Sequence, residues 1–249
     1  MKFLEWLYST YPNPTVNGEW GALHIAVLAL CVAFIVASTL LLKNKSQRAR
    51  FTVLAIIAAI IFLFGVVRRI VGFINLTDAT FDRVLSILLP RPGCAISCWL
   101  VILAVIINKR YFYNFASIIS ILCGTVFFAY PGAGFNNEYI LFENLYSIVT
   151  HAGFYVMAIC FITYKFADFE YKAAWREGIC LAALTVYAFL EIYVIKISSD
   201  PFYFMPKNEI MEILGDMSYG LYLPLYLVFV ALFVFAFYFI SYLVKRKKA

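Results

Sequence analysis

Charge is what this chain has least of. Only 14% of its 249 residues are Asp, Glu, Lys or Arg, against roughly 25% in soluble domains. With 64% hydrophobic residues, that scarcity excludes a disordered chain and argues against a soluble enzyme domain. Glycine (12) and proline (8) are too few for collagen-like or proline-rich sequence. No Walker A or GxGxxG pattern occurs, which argues against an ATPase, kinase or nucleotide dehydrogenase. Two histidines and six cysteines offer no zinc-type spacing, so neither a metal nor any other cofactor is expected. No stretch between the apolar runs is long enough for a soluble domain. The first 21 residues hold Glu5, Glu19 and two prolines but no apolar core with a cleavage site, unlike a secretory signal.

Long apolar runs fill the space those absences leave. Mean hydropathy is +0.88. A membrane-spanning helix needs roughly 20 residues at about 1.5 Å each. Seven candidates occur, at 22–42, 51–73, 94–107, 113–130, 144–165, 174–197 and 218–244. The expected fold class is therefore all-α, a polytopic membrane bundle of seven helices. Its parts are a short interfacial segment (1–21), the transmembrane domain (22–244) and a basic tail (245–249). The runs are too long for the alternating strands of an outer-membrane barrel. Trp6, Tyr8, Tyr11 and Trp20 suit the headgroup layer at the start of the chain.

Basic residues set the orientation. Thirteen of the 20 occupy alternate loops and the C-terminus: Lys43, Lys45, Arg48 and Arg50; Lys109 and Arg110; Lys165, Lys172 and Arg176; and Lys245–Lys248. The opposite loops hold Lys2, Arg83, Arg91 and Lys207. The positive-inside rule then puts the N-terminus outside and the C-terminus in the cytoplasm. Ends on opposite sides need an odd number of spans, which seven satisfies. The net charge of +6 reads as an orientation anchor near anionic lipid, so no nucleic-acid partner is expected.

Ionisable groups within apolar helices are expensive and mark candidate sites. His24 opens the first span, where a backbone carbonyl could equally satisfy it. Arg68 and Arg69 end the second; one could clamp a phosphate or carboxylate bidentately, or pair with Glu191 or Asp216. Cys94 follows two prolines and a glycine, in the first turn of the third span. Unpaired N–H groups there stabilise a thiolate and could serve an oxyanion; the alternative is a packed small side chain. Cys94 and Cys98, four residues apart on one helix, would lie parallel rather than facing. Cys31, Cys123, Cys160 and Cys180 read as packing residues.

His151 sits roughly 12 Å along its helix from Glu143. Neutral, it could take a thiol proton; or it packs between helices. Ser147 and Glu143 share its stripe, although Ser147 could simply bond its own backbone. Glu191 forms an i,i+4 pair with Tyr187. Tyr130 ends the fourth span, and Tyr219 and Tyr222 line the last, where several tyrosines are belt residues and Asp216 could be the N-cap. Together these groups suggest an outward-facing cavity for an amphiphile.

Three segments resemble the bacterial YwaF-type integral membrane proteins, related to the eukaryotic transmembrane protein 164 family. They are GALHIAVL with His24, Leu89–Cys94, and SIVTHAGFY with His151. Gly124 and Pro131 fit a Gly…Thr-Pro segment, and 200–215 resembles the segment before the last helix. The resemblance runs from about residue 20 to 240. It implies a seven-helix bundle and, through the eukaryotic relatives, a phospholipid acyltransferase using cysteine and histidine, matched here by Cys94 and His151. Pro92 stands where that family usually has histidine, and Arg91 and Gly93 also depart from its pattern.

The expected function is thus an acyltransferase or lipid hydrolase in a bacterial plasma membrane. It would act on a phospholipid or other amphiphile through a Cys94 thioester, with His151 as base. His24, Arg68, Arg69, Tyr130, Ser147, Glu191, Tyr219 and Tyr222 would bind substrate. The alternative is a non-enzymatic transporter, small-molecule binder or assembly partner of another membrane protein.

Overall fold

A computed structural model describes residues 20–89, 93–129, 132–135, 140–194, 211, 215 and 217–246. Among the described residues every regular element is helical. Two compact units divide the chain: residues 1–90 with 94–167, and residues 168–249 with 91–93.

The first unit begins with α1 (Ala22–Leu42) and α2 (Gln47–Ile74). The corner between them is built from side chains. The Ser46 hydroxyl accepts the Ala49 N–H at 3.3 Å and caps α2. Arg50 donates from Nε to the Leu42 carbonyl at 3.1 Å and from its terminal nitrogen to the Lys43 carbonyl at 2.6 Å. A guanidinium thus satisfies carbonyls that end α1 without an intrahelical partner. A short amphipathic helix, α3 (Phe81–Leu88), folds back on α2, with Ile87 against Gly72.

Helix α4 covers Gly93–Ile107. Asn108 then takes a left-handed φ of 50°, and its side-chain oxygen accepts the Tyr113 hydroxyl at 2.9 Å. Asn tolerates that conformation better than most residues, so the chain reverses within two residues into α5 (Arg110–Ala129). After the single turn α6 (Gly132–Phe135), α7 spans Phe142–Thr163. Asn144 fixes its start, accepting the Leu141 N–H at 3.2 Å and donating to the Gly134 carbonyl at 3.1 Å.

α7 is the hub of this unit: α1, α2, α5 and α6 all pack on it. Small residues permit the approach. A Cβ on Gly124 of α5 would stand 2.4 Å from the Tyr155 ring, and one on Gly153 would stand 2.9 Å from Ile61 of α2. The Ser117 hydroxyl lies 2.7 Å from the Tyr113 carbonyl and 3.2 Å from that of Ala158, linking α5 to α7.

The second unit holds a 3-10 turn (Tyr171–Ala173), α8 (Ala174–Phe189), a π turn (Leu190–Val194) and α9 (Tyr219–Arg246). Asp168 pairs with Lys245 near its C-terminal end. Phe169 packs on Phe237 and Tyr238, with ring centroids 5.3 and 5.6 Å away.

Among the described residues five helices are long and apolar enough to cross a membrane: α1, α2, α5, α7 and α9. The other two expected spans are shorter than single helices of bilayer length. α4 has 15 residues, ended by the left-handed Asn108. α8 has 16, after which the ladder widens into the π turn.

Candidate functional site

Cys94 stands in the first turn of α4 and His151 on α7, both in the first unit, where α2 and α5 pack on α7. His151 is buried on α7. Its Nδ1 lies 2.6 Å from the Ser147 carbonyl, with the Ser147 hydroxyl at 3.4 Å. A carbonyl only accepts, so Nδ1 carries the proton and Nε2 keeps its lone pair. Phe127 of α5 covers one ring face, parallel within 15° at 3.7 Å between centroids. Phe154 stands 5.1 Å away at a tilt.

Cys94 of α4 and Cys123 of α5 are both half-buried. One turn further along α4, Cys98 is buried, and on α7 Thr150 donates to the Tyr146 carbonyl at 2.7 Å. Phe127 is one turn beyond Cys123 and stacks on His151; Thr150 is His151's chain neighbour.

Arg68 and Arg69 lie near the end of α2. The Arg68 guanidinium lies 4.9 Å above the Tyr146 ring, and that of Arg69 5.2 Å above Trp99. Arg69 also donates to the Gly65 and Leu88 carbonyls at 3.1 and 3.4 Å. Of the acidic partners considered for them, Glu191 belongs to the second unit and Asp216 lies outside the described residues. A cavity of about 60 Å³ opens beside Arg69, lined by Gly65, Cys98, Trp99 and Tyr146. That is room for a few water molecules, since one needs roughly 10–15 Å³ on the same measure.

His24 is fully buried on α1 inside a ring of aromatics. Trp20 is 4.8 Å, Phe135 4.6 Å and Phe128 6.2 Å from its centroid. Phe127 touches both Phe128 and Phe135, so one aromatic cluster has a histidine on each flank.

In the second unit Glu191 is fully buried within the π turn and accepts the Tyr187 hydroxyl at 2.6 Å. Tyr222 is buried and stacks on Tyr226 at 5.8 Å; Tyr219 opens α9. Tyr130, expected to bind substrate, lies outside the described residues, as does Pro92. Among the described residues no three His, Cys, Asp or Glu side chains are arranged to hold a metal ion.

The sequence reads Cys123 as packing and Tyr146, five residues before His151, as facing away from its stripe, and gives no signal for Trp99 or Phe127.

Among the described residues these features define an all-helical fold with five potential membrane-crossing helices, one of which, α7, carries the buried His151. No family model, curated protein or solved structure matches the chain.

Proposed function

We propose that the chain is a membrane-embedded acyltransferase or lipid hydrolase that works through a Cys94 thioester. The observation that carries this reading is the tautomer of His151. The Ser147 carbonyl holds its Nδ1 proton, which leaves Nε2 as a proton acceptor among thiol-bearing helices. His151 takes the Cys94 proton, and the thiolate attacks the carbonyl carbon of a lipid ester. First-turn N–H groups of α4 receive the oxyanion. The leaving alcohol regains the proton from His151. A second lipid, a small alcohol or water then accepts the acyl group. Phe127 blocks one imidazole face, so the thiol must approach along the ring edge. Arg68 or Arg69 holds the headgroup phosphate.

The finer topology belongs to the same proposal. α4 and α8 complete seven spans, with the N-terminus outside and the basic C-terminus in the cytoplasm of a bacterial plasma membrane. The family resemblance and the charge pattern support this arrangement.

Purified protein in nanodiscs with a fluorescent phospholipid tests the chemistry. Native protein is expected to turn the lipid over and to form a hydroxylamine-sensitive acyl adduct. Cys94→Ala should abolish both, and His151→Gln should slow turnover at least about 100-fold, the usual scale for a general base. Equal turnover by native protein and Cys94→Ala would overturn the thioester mechanism.

A second reading, a non-enzymatic binding, transport or assembly protein, draws on the small size of the cavity beside Arg69. Binding of the lipid by native protein, with no adduct and no turnover, would favour it.

A further inference from the structure

Consecutive residues on a helix point about 100° apart, so adjacent arginines do not ordinarily serve one site. Aromatic residues of two other helices bring Arg68 and Arg69 of α2 to the same place. The Arg69 guanidinium lies 5.2 Å from the ring centroid of Trp99 on α4, and that of Arg68 lies 4.9 Å from the ring of Tyr146 on α7. Trp99, Tyr146 and Arg69 all line one cavity of about 60 Å³. At roughly 10–15 Å³ for each water-sized position, that space suits a cluster of about four or five heavy atoms, the size of a phosphate group.

Arg69 is held in place beside this cavity. It donates to the Gly65 carbonyl of its own helix at 3.1 Å and to the Leu88 carbonyl, which ends α3, at 3.4 Å. A guanidinium has more N–H donors than these bonds use, so others remain for a ligand. Its charge is left over as well. The ion pairs among the described residues are Arg83–Asp78 and Lys245–Asp168; neither Arg68 nor Arg69 has a described carboxylate at that range. A ring face holds a cation without neutralising it. Ionisable groups of this kind among apolar helices mark a binding site.

We propose that Arg68 and Arg69 bind the phosphate of an anionic phospholipid headgroup and select against headgroups that carry an ammonium. Arg69 receives the phosphodiester bidentately at the cavity. A phosphodiester carries a single negative charge, which one guanidinium balances. The exposed Arg68 then meets the remainder of the headgroup. A glycerol headgroup offers it hydroxyls that accept hydrogen bonds. An ethanolamine or choline headgroup brings a further positive charge, with no described carboxylate in ion-pair range of either arginine to offset it. The inference rests on the reading that the chain takes a membrane lipid, and it needs no thioester chemistry.

The test uses full-length protein, delipidated in a maltoside detergent and titrated with dioctanoyl phosphatidylglycerol, phosphatidylethanolamine and phosphatidylcholine. Binding is read by native mass spectrometry. Phosphatidylglycerol is expected to bind at least about 10-fold more tightly than the other two, the scale of one hydrogen bond to a charged group. Arg68→Gln should erase that preference, and Arg69→Gln should weaken all three lipids. A thermal melt checks that each variant is folded; if Arg69→Gln is not, Arg68→Gln at its exposed position decides. Equal binding of the three lipids by native protein, or a preference unchanged in Arg68→Gln, would overturn the proposal. Glycerol phosphate separates a lipid headgroup from a free phosphate ester. It is expected not to displace phosphatidylglycerol at equal concentration, and displacement would overturn the lipid as ligand. Turnover of the same lipids in nanodiscs separates this inference from the acyl mechanism. Selective binding without turnover sinks the acyl mechanism alone; turnover with no headgroup preference in binding sinks the headgroup selection alone.

Discussion

α1 and α7 are nearly equal in length, 21 and 22 residues, yet opposite in role. α1 has the higher mean hydropathy, 2.9 against 1.8, and only 6% of its most apolar window is buried, against 44% for α7. α5 extends the trend, with hydropathy 1.7 and 61% buried. In water the most apolar helix would be the core. Here lipid is as apolar as leucine, so nothing drives an oily helix inward. Helices that carry hydroxyls, amides and glycines occupy the centre, because those groups need partners or close approach. The least oily spans are therefore where chemistry is to be sought.

Phe127→Ala in the hub tests that contrast most severely. Losing a buried ring typically costs about 3–5 kcal/mol, and here it also uncovers His151. A large fall in the detergent unfolding midpoint is expected. Gly124→Val comes next, since its side chain would overlap the base of Tyr155; overpacking of this kind costs about 1–3 kcal/mol, read by the same melt. Ser117→Ala removes the α5–α7 hydroxyl link and should cost about 0.6 kcal/mol, the average for such bonds between membrane helices. Leu30→Ala on α1, at a position 69% exposed, should move the midpoint by less than about 0.5 kcal/mol. A Leu30→Ala loss matching that of Phe127→Ala would erase the distinction between the two helices.

Much of this was readable in the chain itself. Five of the seven expected spans coincide with long apolar helices to within a few residues, because bilayer-length hydrophobic runs leave little choice of structure. α4 begins and ends within one residue of the expected 94–107, short of bilayer length, whereas α8 passes after Phe189 into a π turn that hydropathy does not register. α3 went unseen: eight amphipathic residues between Thr80 and Leu89 leave a weak periodic signal. His151 was recognisable as a buried imidazole, and its link to Ser147 followed from the four-residue spacing. Its Phe127 cover was not recognisable, since that contact joins two helices. Arg68 and Arg69 invited an acidic partner on charge grounds; the described contacts are to aromatic faces and backbone carbonyls, which sequence does not rank.

The two-residue reversal at Asn108 acts as a caliper. One residue inserted anywhere between Cys94 and Ile107 would move Cys94 by about 1.5 Å and turn it by about 100° around its helix relative to the reversal. The hairpin can thus tolerate changes of composition far better than changes of length. Substitutions among its apolar residues preserve the face on which Cys94 stands relative to the reversal; a single insertion or deletion turns it while leaving every residue type in place.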